Sequence, residues 1–114
     1  MNIIQSTTTD KKAVYQMTKG ANVARVQDHE GETITVADFV LYEDVKSDGT
    51  SMLILSMKDS NTGNIIATNS PTFKEAFLDI AAICGEPADM IGENIRIDSG
   101  TSKAGRKYLT CVWA

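Results

Sequence analysis

Cysteine, proline, histidine and long apolar runs are all scarce in this chain, and each scarcity closes off a class of protein. The two cysteines, Cys84 and Cys111, lack C-x-x-C spacing and sit in apolar periodic settings. They read as reduced, buried thiols, not as a disulfide framework or a redox pair. The single histidine, His29, stands between Asp28 and Glu30 ahead of a glycine, the setting of a solvated turn. One histidine and two unspaced cysteines do not make a metal site. No P-loop, G-x-G-x-x-G or nucleophile elbow occurs. Asp28, Glu30, Glu32, Asp38, Glu43 and Asp44 precede or alternate along one extended stretch, without the fixed grouping a magnesium-dependent nuclease needs. No enzymatic activity, cofactor or metal is therefore expected. No apolar run reaches membrane length, and residues 1–9 lack the hydrophobic segment of a secretory signal, so an intracellular setting is expected.

What is present suffices for one domain. With 114 residues, 42% of them hydrophobic, the chain can bury a core without disulfide or metal staples. Its formal charge of −4 excludes a generally basic nucleic-acid coat, but the charge is unevenly spread. Residues 95–114 carry four of the eleven basic side chains (Arg96, Lys103, Arg106 and Lys107) and one of the fifteen acidic ones. Positive potential focused in this way attracts phosphate even on an acidic protein. On charge alone, an ordinary solvated surface explains the same counts.

Along the chain, the polar residues 1–9 are expected to form a flexible tail preceding a single domain over 10–114. Asp10 is placed to cap a short helix over Lys11–Thr18, ended by Gly20. Residues 22–30 read as a connecting segment, helical or irregular. Glu32–Lys46 is long and β-branched, with an apolar phase that slips around Ala37–Phe39 as a β-bulge would make it. A Ser47–Thr50 turn, a strand over Met52–Lys58, an N-T-G turn and a short strand over Asn64–Asn69 follow. Thr72–Cys84 carries the clearest helical stripe, Phe73, Ala76, Phe77, Ile80, Ala81 and Cys84, opened by a Thr72–Glu75 capping box and closed by Gly85 and Pro87.

The last stretch, Asn94–Trp113, consists of two alternating runs around a cationic loop, the pattern of a β-hairpin. Alternation places Ile95, Ile97, Leu109, Cys111 and Trp113 on the core side. Arg96, Arg106 and Tyr108 fall on the outward side, with Lys103 in the loop beside them. Cations together with a flat ring are what sequence-tolerant binding of single strands uses, because every nucleotide offers a phosphate and every base a π-face. From periodicity alone, Tyr42 and Tyr108 are equally suited to stacking on bases and to plain packing.

The resulting order is mainly β: three strands, a helix and two strands after a helical lead-in. It is the order of a five-stranded, OB-fold-like Greek-key barrel, whose first strand is commonly long and bent. The runs K-K-A-V-Y-Q, D-H-E-G-E-T-I-T-V-A-D-F-V-L-Y at 28–42, the helix ending C-G-E-P and G-T-S-K-A-G-R-K-Y-L-T resemble small single-stranded DNA-binding proteins of phages of the phi-twenty-nine type and their relatives in Gram-positive hosts. The resemblance extends from about Lys11 to Trp113. It implies a non-catalytic protein that coats displaced single-stranded DNA during phage replication in the bacterial cytoplasm, with phage replication proteins as further partners. It also implies binding roles for Tyr42, which closes the long strand, and for the Arg106-Lys107-Tyr108 run. Ile66 departs from the pattern, since relatives often carry a tyrosine there. A protein–protein interaction module, motivated by the acidic first half and by Ile66, is the alternative.

Overall fold

The computed structural model describes all 114 residues. They form seven strands and two helices: β1 (Asn2–Ser6), α1 (Lys11–Thr18), β2 (Val23–Arg25), β3 (Thr33–Val45), β4 (Ser51–Asp59), β5 (Ile65–Thr68), α2 (Pro71–Cys84), β6 (Asn94–Thr101) and β7 (Lys107–Trp113). The expected succession of three strands, a helix and two strands is present as β3, β4, β5, α2, β6 and β7. The expected five-stranded Greek-key barrel is corrected in count and order: seven strands, with β1 and β2 added, form a curled mixed sheet of half-barrel form. No helix is long and apolar enough to cross a membrane.

The sheet is built around β3. Its first part, Thr33–Thr35, pairs antiparallel with β6, and Val36–Val45 pairs antiparallel with β4. The register slips between Val36 and Asp38, the bulge that the phase change at Ala37–Phe39 foretells. Before the slip Ile34 and Val36 point into the core; beyond it Phe39 and Leu41 do. The remaining order runs β2, β5, β4, β3, β6 and β7, with β1 paired to Val40–Glu43 of β3.

Both added strands correct an expectation. Residues 2–6 are not a flexible tail: they pair with β3, and the following Thr7 hydroxyl reaches Asp38 Oδ1 at 2.6 Å. Along residues 40–43 the side of β3 opposite β4 lies beyond the reach of β6, and β1 satisfies its otherwise unpaired backbone groups. Similarly, Val23–Arg25 in the expected connector pairs in parallel with Ile65–Ala67 of β5. A 3-10 turn over Val26–His29 then leads to β3.

The helices seal opposite faces of the sheet. Phe73, Phe77, Ile80 and Ala81 of α2 are buried inside the curl, with Phe77 meeting Phe39 edge to face at 5.1 Å. The start of α2 differs from the expected capping box. Ser70 is the cap, its hydroxyl accepting from the Phe73 amide at 3.3 Å, with Pro71 in the first turn, where a missing N–H costs nothing. Helix α1 begins as expected, with Asp10 accepting from the Lys12 amide at 3.1 Å. It lies on the outer face of β3–β5, where Met17 joins Val40 and Tyr42 in a second small core flanked by Val14, Ile54 and Ile65.

Tyr42 is thus held by packing, and its hydroxyl donates to the Thr18 carbonyl at 3.3 Å. Tyr42→Ala should cost about 3 to 5 kcal/mol of stability, the scale of removing a core aromatic. Tyr42→Phe should cost about 1 kcal/mol for the hydrogen bond alone. Urea unfolding of the two variants measures this contrast; an alanine variant as stable as the parent would mean that α1 does not cover the ring.

Candidate nucleic-acid interface

Alternation places the hairpin side chains, and the structure follows it for most of its length. Strands β6 and β7 pair from Ile95 opposite Trp113 to Thr101 opposite Lys107. Ile95, Ile97 and Cys111 are buried in the core, with Leu109 packed against it. Burial pushes the Cys111 thiol up to about 12, as befits a structural cysteine, whereas Cys84 is only half-buried. Trp113 shares this face but lies beyond the edge of the core. It is 42% exposed, and its indole N–H donates to Glu93 Oε1 at 2.9 Å, which corrects the expectation of a core tryptophan.

The outward face holds Arg96, Asp98, Gly100, Tyr108, Thr110 and Val112. Tyr108 lies directly across from Gly100, and the end of its ring covers the glycine so closely that a β-carbon there would come within 2.5 Å of Tyr108 Cζ. Glycine at position 100 permits this approach, and any larger residue there would push the ring aside. The ring remains 40% exposed. Next to it, the loop over residues 102–106 presents Lys103 and Arg106, neither of which forms an ion pair. Arg96 is not beside Tyr108. Its register partner is Val112, four residues along β6 from Gly100, or about 13 Å, and its guanidinium lies 3.6 Å from Asp98.

Two expected site residues are placed elsewhere. Tyr42 is 4% exposed beneath α1, with the Lys19 ammonium 5.9 Å from its ring centroid, so it offers no face to a base. The periodicity of β3 gave no sign of this, because what buries Tyr42 is a helix from a different part of the chain. Lys107 alternates onto the side opposite Tyr108 and forms an ion pair with Glu30 at 2.7 Å. Ser99 also donates to Glu30. Lys107 first, then Ser99, holds the Glu30 carboxyl below the usual carboxylate range.

Lys107 and Tyr108 border a cleft of about 410 Å³ with Leu109, Ser99, Gln27, Glu30 and Thr68–Ser70. The cleft lies where the end of β5 faces the open edge of β7. Arg25 is the last residue of β2 to pair with β5, which leaves the end of β5 uncovered. On the other wall, Ser102 and Ala114 hydrogen bonds across the hairpin set the ladder so that the main-chain groups of residues 107, 109, 111 and 113 turn away from β6. The Leu109 carbonyl accepts from Thr72. Sequence reading missed Gln27, Glu30 and Asn69 as neighbours of the hairpin. Nothing local marks them, since Glu30 meets Lys107 across 77 residues of chain.

No three His, Cys, Asp or Glu side chains converge as metal ligands. No protein-family model matches the chain, and no significant match is found among curated proteins or solved structures.

The contact between Tyr108 and Gly100 has a spectroscopic signature. The Gly100 Hα resonances should be shifted by the ring current of Tyr108, and Tyr108→Leu should return them to ordinary glycine values in a proton NMR spectrum. Unchanged Gly100 resonances in that variant would show that the ring does not lie over the glycine.

Proposed function

We propose that this protein binds single-stranded DNA without strong sequence preference, through the outward face and loop of the β6–β7 hairpin. The observation that carries this reading is the half-exposed Tyr108 ring, braced across Gly100 and flanked by two loop cations, Lys103 and Arg106, that no acidic side chain engages. A ring that lies along the strand with one face in solvent is placed for a base to stack on it. Unpaired cations attract phosphate without first breaking an ion pair. Arg96 extends the basic face farther along the same side of the hairpin, and Lys107 extends it around the edge of β7.

The motif runs read above as resembling small phage single-strand binders motivate the same reading, together with the sequence order of β3, β4, β5, α2, β6 and β7. Under this proposal the protein coats displaced strands during phage replication in the bacterial cytoplasm, alongside the replication proteins. Tyr42 is not part of the contact surface. The burial of Tyr42 beneath α1 and the acidic remainder of the chain favour, as second reading, a protein–protein module without nucleic-acid binding.

Titration of tyrosine and tryptophan fluorescence with a thymidine homopolymer separates the two readings. Single-strand binding gives a saturable signal whose affinity falls with salt at a log–log slope of about −0.7 per phosphate contacted; a flat titration favours the module. Replacing Lys103 and Arg106 together should flatten the slope and leave the melting temperature nearly unchanged. Tyr108→Ala should cost about 1 to 3 kcal/mol of binding and Tyr108→Phe little, because the π-face survives. Equal losses in the two tyrosine variants would show that the hydroxyl, not the ring, makes the contact.

A further inference from the structure

The cleft between the end of β5 and the open edge of β7 adjoins the face just described, since Lys107 and Tyr108 both line it. Its lining is rich in donors. The Gln27 and Asn69 carboxamides, the Thr68 and Ser70 hydroxyls and the Lys107 ammonium belong to it. The ladder turns the main-chain amides of Lys107 and Leu109 toward the same open edge. Ser70 also caps the fourteen-residue helix α2, so the positive end of that helix dipole lies at the rim. Only two hydrophobic residues line the cleft, too few to sandwich a base. Asn69 Nδ2 donates to Met52 Sδ and Ser70 Oγ accepts from the Phe73 amide, so the Lys107 ammonium, the Gln27 carboxamide and the open-edge amides are the donors left for a phosphate oxygen.

One group opposes that use. Glu30 is the single acidic residue of the lining, and its carboxylate already occupies the Lys107 ammonium and the Ser99 hydroxyl. A carboxylate on these donors resembles a phosphate on them in charge and in hydrogen-bonding demand.

Building on the single-strand reading, we propose that this cleft is a phosphodiester subsite for the bound strand, and that Glu30 holds the phosphate's place in the free protein. The strand reaches the cleft by continuing from the loop past Arg106 to Lys107, where a phosphate displaces the Glu30 carboxylate. An isolated anion must displace it unaided. A polymer already anchored at Lys103, Arg106 and Tyr108 presents its next phosphate at high effective concentration. Glu30 therefore makes the subsite selective for polymeric strands over free phosphate and mononucleotides.

The test is a double-mutant cycle on Glu30 and Lys107, read by fluorescence anisotropy of a labelled thymidine oligomer at constant salt. Glu30→Gln removes the competitor and keeps its shape. It should tighten binding by about fivefold, the upper range for releasing an exposed ion pair. Lys107→Gln should weaken binding, and on that background Glu30→Gln should gain almost nothing. Glu43→Gln, an equal charge change on exposed β3, should have little effect. The inference is overturned if the Glu30→Gln gain persists without Lys107 or is matched by Glu43→Gln, since either reports general charge repulsion. Flat titrations for the parent protein and every variant would overturn the single-strand reading itself, and this inference with it.

Discussion

Strand β3 belongs to two curvatures at once, and the register slip between Val36 and Asp38 makes this possible. One residue of slip exchanges the faces of everything that follows. Without it, Phe39 and Leu41 would leave the core formed by Ile34 and Val36, and the continuous cluster they share with Leu55, Met57, Phe77, Ile95 and Ile97 would be cut in two. The slip also lets β3 pass from β6 to β4, and so curls the sheet around α2. The position of the β6–β7 hairpin follows from that handover, because the main chain of β6 pairs with Thr33–Thr35 and with Gly31 and Glu32 just before them.

The same constraint determines which surfaces remain for function. Just beyond the bulge, from Phe39 to Tyr42, β3 is buried on both faces, inside by α2 and outside by α1, with β1 pairing its edge. The outer face of β3–β5 is thereby closed. The hairpin escapes this closure, since α1 packs chiefly against β2, β3 and β4. Its outward side keeps Tyr108 and the loop cations in solvent. Its edge is capped by Thr72 at Leu109, which leaves the cleft at Lys107 open.

Most of the fold was legible in the sequence because the relevant signals are local. Asp10 ahead of Ala13, Val14 and Met17 marked α1, the stripe from Phe73 to Cys84 marked α2, and the phase change near Ala37 marked the bulge. Position-by-position alternation assigned Ile95, Ile97, Leu109 and Cys111 to the core. The errors arose where a partner distant in sequence decides the outcome. Asn2–Ser6 and Val23–Arg25 are too short and polar to announce themselves as strands, and they are strands because β3 and β5 present open edges. Tyr42 has the alternation of an exposed or a buried residue equally well, and the docking of α1 decides between them. Trp113 kept the predicted face but ran past the end of the core. In the candidate site, Tyr108 and Lys103 stand where alternation and loop chemistry put them, Arg106 ends the loop before β7 and not the strand expected for it, and the pairing of Lys107 with Glu30 is a tertiary fact.

The central claim, that single strands bind on the β6–β7 hairpin, is tested most directly by mapping amide chemical-shift changes in a nitrogen-15-labelled sample titrated with a short thymidine oligomer. The account predicts that the largest changes fall on Gly100, residues 102–108 and Leu109, with Val14, Ile54 and Ile65 around Tyr42 undisturbed. Changes centred on α1 and the outer face of β4 and β5, with the hairpin silent, would contradict it.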